Sequence, residues 1–159
     1  MAKKIAEGAL EEKKRYIRPI EEGTALDHLP INSALVILKV LDVKDTPMTA
    51  AIRVPSRKMG RKDLVFLEDY FLSKKEKDKI ALIAPNATLN MIRGCKVVHK
   101  EELSLPDKVE DIVTCINPNC ITNHESIGTK FYVYKNPLRV KCHYCEKIMA
   151  EKEFRERIK

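Results

Sequence analysis

The sequence predicts an α+β protein in two parts: a ferredoxin-like βαββαβ domain over residues 14–107, and a small all-β domain of zinc-ribbon or rubredoxin-like type over residues 108–159. Three observations predict it. Strand-like and helix-like segments alternate through the first two-thirds of the chain. Cysteine usage then changes abruptly near Leu105-Pro106-Asp107: Cys95 stands alone upstream, while four cysteines fall within the thirty-one residues from Cys115 to Cys145. Those four come as two short-range pairs with strand-like segments between them.

Taken in order, residues 1–13 read as a tail. Tyr16-Ile17-Arg18-Pro19-Ile20 suggests a first strand, closed by Glu22-Gly23. Asn32-Ser33 after Pro30 offers a helix cap, with the helix running to about Val40; the apolar run Ala34 to Leu38 also suits a buried strand. Thr46 to Val54 reads as a strand ended by Pro55-Ser56, and Asp63 to Glu68 as another after the turn at Met59-Gly60. Ser73 followed by Glu76 is a capping-box signal for a helix to about Ile83, which Pro85-Asn86 stops. Ala87 to Ile92 and Lys96 to His99 read as two strands around Gly94. This order is βαββαβ with one strand added. Downstream, Asp111 to Thr114 leads into the first cysteine pair. Phe131 to Tyr134 and Leu138 to Lys141 form a hairpin about Lys135-Asn136-Pro137, and residues 149–158 suggest a terminal helix.

Composition narrows the function classes. Of 159 residues, 44% are hydrophobic and 33% charged, a balance that supports a buried core. The formal net charge of +7 favours anionic partners. It is spread out, however: residues 108–159 hold ten Lys/Arg against seven Asp/Glu, so no basic block marks a nucleic-acid binder. No apolar run reaches the eighteen or so residues of a membrane span, and the first fourteen residues mix Lys and Glu without a secretory apolar core. A cytoplasmic setting is expected, with the cysteines as thiols or metal ligands rather than disulfides.

Cys115-x4-Cys120 and Cys142-x2-Cys145, separated by twenty-one residues, have the spacing of a four-sulfur metal site. A segment of about fifty residues buries too little apolar surface to fold reliably alone. A structural zinc supplies on the order of 10 kcal/mol. Four thiolates leave no open coordination position, so the expected metal is structural. Tetrahedral sulfur suits iron as well as zinc, but the aromatic density and acidity of a sulfur-iron electron carrier are missing. His124 and His143 are alternative ligands, and Cys95 reads as a small core residue. Asn117-Pro118-Asn119 fits a tight loop that turns N–H groups toward sulfur.

Upstream, Asp27-His28 in a loop near a helix start suits a polar ligand, and Lys62 and Lys100 supply positive charge at strand edges. No Gly-rich phosphate loop and no nucleophilic or paired-carboxylate constellation is present, so neither a nucleotide hydrolase nor another enzyme is expected.

Several strings, in order over residues 15–147, resemble the regulatory chain of aspartate carbamoyltransferase: Gly23-Thr24-Ala25-Leu26-Asp27-His28-Leu29-Pro30, Pro55-Ser56 with Met59-Gly60-Arg61-Lys62-Asp63, Ala84-Pro85-Asn86-Ala87-Thr88-Leu89-Asn90, Ser104-Leu105-Pro106, Cys115-Ile116-Asn117-Pro118-Asn119-Cys120-Ile121 and Cys142-His143-Tyr144-Cys145-Glu146-Lys147. The resemblance implies a non-catalytic subunit in pyrimidine biosynthesis. Its allosteric domain would bind CTP or ATP, with UTP acting beside CTP, and its zinc domain would dock on the catalytic chain. Homodimers of such chains bridge catalytic trimers.

Residue by residue, the resemblance implies that Asp27 holds the ribose while His28 and Lys100 face the phosphates. Asn90, Ile92 and Val97 line the pocket, and Ile17, Arg18 and Ile20 contact the nucleotide from the first strand. Lys62 serves a second nucleotide. Cys115, Cys120, Cys142 and Cys145 bind one structural Zn2+, with Asn119, Tyr144 and Glu146 near the catalytic-chain interface. Two positions depart from the family pattern: Phe66 stands where a lysine is frequent, and Cys95 where a tyrosine is.

Overall fold

The computed structural model describes residues 17–159. The tail expected over residues 1–13, and Tyr16 of the expected first strand, lie outside the described residues. Five antiparallel strands form the first sheet: β1 Gly23–Leu29, β2 Met48–Ser56, β3 Gly60–Glu68, β4 Thr88–Arg93 and β5 Lys96–Glu102. Their spatial order is β2-β3-β1-β4-β5. The first four are arranged as the βαββαβ pattern requires, and β5 is the added strand. The helices α1, Ser33–Leu41, and α2, Lys74–Ile83, both pack on one face. There Leu26, Val65, Leu67 and Leu89 meet Ile37, Val40, Ile80 and Ile83 in a buried apolar core.

The first strand differs from expectation. Ile17 to Ile20 lie outside any strand, and the strand starts at Gly23. Pro19 has no N–H to give a ladder, whereas Thr24 and Leu26 alternate inward with Ala25 and Asp27 on the other side, as a half-buried strand requires. Gly23 is obligatory there: φ is +131°, and an added Cβ would lie 2.1 Å from the Leu67 carbonyl oxygen.

Asn32 sits at the cap of α1 but makes no side-chain capping bond. The cap comes from across the sheet: fully buried Asp63 of β3 accepts the Ala34 N–H at 3.2 Å and the Arg53 N–H at 2.9 Å. A carboxylate at this helix end also meets the positive pole of the helix dipole. The capping box of α2 is as expected, with Ser73 Oγ accepting the Glu76 N–H and Glu76 accepting the Ser73 N–H. Cys95 is not a core residue. It is exposed in the two-residue β4–β5 turn, where Gly94 and Cys95 have φ of 56° and 60°, as a tight hairpin turn needs.

The second sheet has the order β6-β7-β8-β9, with β6 Lys108–Glu110, β7 Lys130–Tyr134, β8 Arg139–Cys142 and β9 Ile148–Ala150. Asp111 to Thr114 is not a strand; only an isolated bridge joins Val113 to Ile158. The expected terminal helix is shorter, α3 Glu151–Arg155, because Ile148-Met149-Ala150 pairs with β8 instead. The two units share a junction. Leu82 of α2 lies in the second core, Ile158 packs against both cores, and Arg155 donates to the Ile83 carbonyl at 2.7 Å.

Candidate functional site

The four sulfurs of Cys115, Cys120, Cys142 and Cys145 all lie within 4.8 Å of one another. Cys115 and Cys120 flank a loop closed by the Cys120 N–H to Asn117 carbonyl bond, 3.0 Å. Asn123 Nδ2 ties this loop down by donating to the carbonyls of Cys115 and Asn117 at 3.0 and 2.8 Å. Cys142 ends β8, and the Glu146 N–H returns to its carbonyl at 3.1 Å, with Glu146 at φ 59°. Two tight loops thus bring both pairs to one point.

The local field treats the sulfurs unequally. Burial pushes the Cys115 thiol far up, against the Asn117 N–H aimed at its sulfur. Burial also raises Cys142, although the N–H groups of Cys145 and Tyr144 point to it. At Cys145 burial is outweighed by the Asn117 side chain, the Lys147 N–H and the neighbouring sulfurs, and the thiol falls to about 7. Buried thiols with N–H groups directed at sulfur are an arrangement for thiolates neutralised by a cation.

Zn–S bonds of about 2.3 Å in a tetrahedron place sulfurs about 3.8 Å apart. Cys115 to Cys145 is 3.5 Å and Cys120 to Cys142 is 3.8 Å, so the set fits one structural zinc ion. The histidines turn elsewhere. His143 Nδ1 meets the Tyr132 hydroxyl at 3.0 Å, and His124 Nε2 meets the Pro118 carbonyl oxygen at 2.7 Å. Asn119, Tyr144 and Glu146 lie exposed on or beside the two cysteine loops, with the Tyr144 hydroxyl donating to the Gly128 carbonyl at 3.2 Å.

A second grouping lies on the sheet face opposite the helices. Strand register sets Thr49, Phe66, Ala25, Asn90 and Lys100 in one cross-strand row. The next row holds Glu68, Gly23, Ile92 and Val97. At the far end a bulge after Leu26 sets Asp27 against Lys62, whose ammonium is 2.6 Å from the carboxylate. His28 adopts φ 56° in the same bulge, and its Nδ1 is 3.1 Å from Thr88 Oγ1. Burial works against the charge of Asp27, but the Lys62 ammonium and the His28 N–H outweigh it and hold the carboxyl below its usual value. Asp27, Lys62, Asn90, Ile92, Val97 and Lys100, drawn from four different strands, therefore share one face.

The remaining expected residues enter differently. Ile17 and Arg18 are exposed, Ile20 is buried, and all three precede β1 rather than lying in it. The following residues anchor that segment, for the Glu21 carbonyl accepts the Cys95 N–H at 3.0 Å and the Glu22 carboxylate accepts the Gly94 N–H at 3.0 Å. Thr88, the partner of His28, was not among the expected residues; its register opposite Asp27 is a property of strand pairing, invisible in a local reading of the sequence.

No helix among the described residues is long and apolar enough to cross a membrane. Residues 15–104 match the family model of the aspartate carbamoyltransferase regulatory chain, allosteric domain, and residues 107–155 match that of its metal binding domain. Neither description is of a catalytic domain. The chain is 49% identical over 142 residues to the aspartate carbamoyltransferase regulatory chain of Pyrococcus abyssi, covering 86% of this chain and 93% of that one. The regulatory chain of Pyrococcus horikoshii gives the same identity and coverage, and that of Methanocaldococcus jannaschii is 46% identical over 137 residues, 85% and 92% of the two chains. A two-layer sheet-and-helix unit, a four-sulfur cluster on a second small sheet, and similarity along nearly the whole chain agree: this chain belongs to the aspartate carbamoyltransferase regulatory chain family, with an allosteric and a metal-binding domain.

Proposed function

We propose that the chain is an effector-binding subunit that controls aspartate carbamoyltransferase without taking part in its chemistry. Residues 14–107 form the effector unit and 108–159 the contact unit. CTP and ATP bind on the helix-free sheet face, with UTP acting beside CTP. Asp27 engages the ribose, His28 and Lys100 the phosphates, and Asn90, Ile92 and Val97 line the pocket. Ile17, Arg18 and Ile20 contact the base or phosphates from the segment before β1, and Lys62 belongs to the second nucleotide. The observation that carries this reading is the shared face: two cations, an ion-paired carboxylate, an amide and apolar side chains converge from separate strands with no hydrolytic constellation among them. Such a set binds a nucleotide and leaves it intact.

In the contact unit, Cys115, Cys120, Cys142 and Cys145 hold Zn2+, which supplies a rigid cross-link and, being fully coordinated, no catalysis. Asn119, Tyr144 and Glu146, exposed beside it, face the catalytic chain, while a second copy of this chain pairs with the effector unit. A nucleotide that prefers one quaternary state tenfold shifts the assembly by about 1.4 kcal/mol per site.

Calorimetric titration with CTP and ATP tests the site: His28→Ala and Lys100→Ala each weaken both nucleotides, and unchanged affinity in both variants moves the site elsewhere. Chelation of the metal tests assembly, releasing this chain from active catalytic trimers on a sizing column. An assembly that survives demetallation contradicts the contact role.

A further inference from the structure

We infer that Phe66 is the base-stacking and specificity-determining residue of this sheet face, so that the site selects nucleotides by ring area and favours purines over pyrimidines. The inference rests on the nucleotide-binding reading given above. Phe66 is the only Phe, Tyr or Trp in the five strands of the first sheet. It lies in the central row of the face, directly opposite Ala25, which in turn lies opposite Asn90. The central strand contributes only Gly23 and Ala25 to the floor here, the two smallest side chains available, and Gly23 tolerates no Cβ. Phe66 and Asn90 are therefore neighbours across one low strand, about 10 Å apart strand to strand.

The groups read as meeting ribose and phosphates stand away from Phe66. Asp27 and His28 lie at the bulge end, and Lys100 lies at the outer edge beyond Asn90, three strands from Phe66; the charge nearest Phe66 in this register is the Glu68 carboxylate, one row on along the same strand. A nucleotide whose ribose and phosphates meet those groups leaves its base to the Phe66–Ala25–Asn90 row. A phenyl ring has no hydrogen-bonding atom, so it reads a base only through its π-face, which every base offers. The one polar side chain in the row beside Lys100 and Thr49 is the Asn90 amide. It carries both donor and acceptor and can turn to match either an amino or a keto edge. Within this row discrimination by hydrogen bonding is thus weak, and stacking area decides. A purine presents two fused rings to Phe66, a pyrimidine one.

The test is titration of the full chain with ATP, GTP, CTP and inorganic tripolyphosphate, comparing the native protein with Phe66→Leu and Phe66→Tyr. Phe66→Leu keeps an apolar side chain and removes the ring; Phe66→Tyr keeps the ring. Expected are tighter binding of ATP than CTP, and near parity of ATP and GTP. In Phe66→Leu the Kd of ATP rises about tenfold or more, as loss of a base stack does, with a smaller rise for CTP. Tripolyphosphate binds all three proteins alike, and Phe66→Tyr behaves as the native chain. Undiminished ATP and CTP binding by Phe66→Leu overturns the stacking role while leaving the nucleotide site in place. An equal loss for ATP, CTP and tripolyphosphate also overturns it, because Phe66 would then serve only the sheet. If the native chain binds none of the three nucleotides, the underlying site assignment falls, and this inference with it.

Discussion

Asp27 is where electrostatics and geometry meet most directly. Its carboxylate is only 26% exposed and depends on Lys62 at 2.6 Å and the His28 N–H for its charge. The carboxyl sits below its ordinary value, so this pair stabilises the fold at pH above the usual aspartate range. That contribution is lost as pH falls through the folded-state pKa. Lys62→Met removes the larger of the two compensations and leaves His28 alone to oppose burial. The Asp27 carboxyl then titrates at a higher pH, which carboxylate NMR would follow; an unmoved titration curve means that Lys62 does not hold the charge. The cysteines were legible one by one because metal ligation imposes short spacings that sequence preserves. Asp27, Lys62 and Lys100 stand out in the sequence as single candidates, but their grouping with Asn90 was legible only through family resemblance, since what unites them is cross-strand register, and no residue carries its register in its own neighbourhood.

Among the elements, α2 was read most fully from sequence. Its first turn is closed by Ser73 and Glu76, and the Tyr70 hydroxyl also bonds to Glu76. The Glu76 bond, together with burial and the nearby negative charge, pushes the Tyr70 hydroxyl up to about 12. Ser73→Ala deletes the acceptor for the Glu76 N–H and should cost about 1 kcal/mol in a denaturant titration; no loss would mean that Tyr70 alone secures the helix start. The first strand was misread for a definite reason. Ile17 and Ile20 look like strand material, but Pro19 interrupts the ladder, and Asp27-His28 looks like loop because the bulge that places them is set by pairing with β3. Pro55 ends the expected second strand in sequence, yet β2 runs on to Ser56, which an edge strand permits. β6 and β9, three residues each, carry too little pattern to be seen without their neighbours.

At the scale of the whole molecule, α2 serves two cores at once. Ile80, Ala81, Leu82 and Ile83 are four consecutive buried residues. Ile80, Ala81 and Ile83 face the first core and Leu82 the second. A helix against a single layer buries one stripe; this one buries its whole last turn because a hydrophobic core lies on either side. Leu82→Ala should cost about 2–5 kcal/mol, and it should split a single unfolding transition into two as the units lose their common wall. A single transition in the variant would mean that Ile158 and Arg155 suffice to join them. The overall two-part plan was visible in the cysteine distribution, whereas the junction was not, because nothing in the run Ile80–Ile83 says that its apolar residues face two ways.

The double-sided last turn of α2 has a practical corollary. Dividing the polypeptide near Pro106, where composition alone invites a cut, would strip a leucine-bearing surface bare on one fragment and leave a gap under Phe131 and Phe154 on the other. Each fragment would carry a newly uncovered oily patch and tend to clump, so isolated halves would keep their solubility only if Leu82 and its partners were made polar.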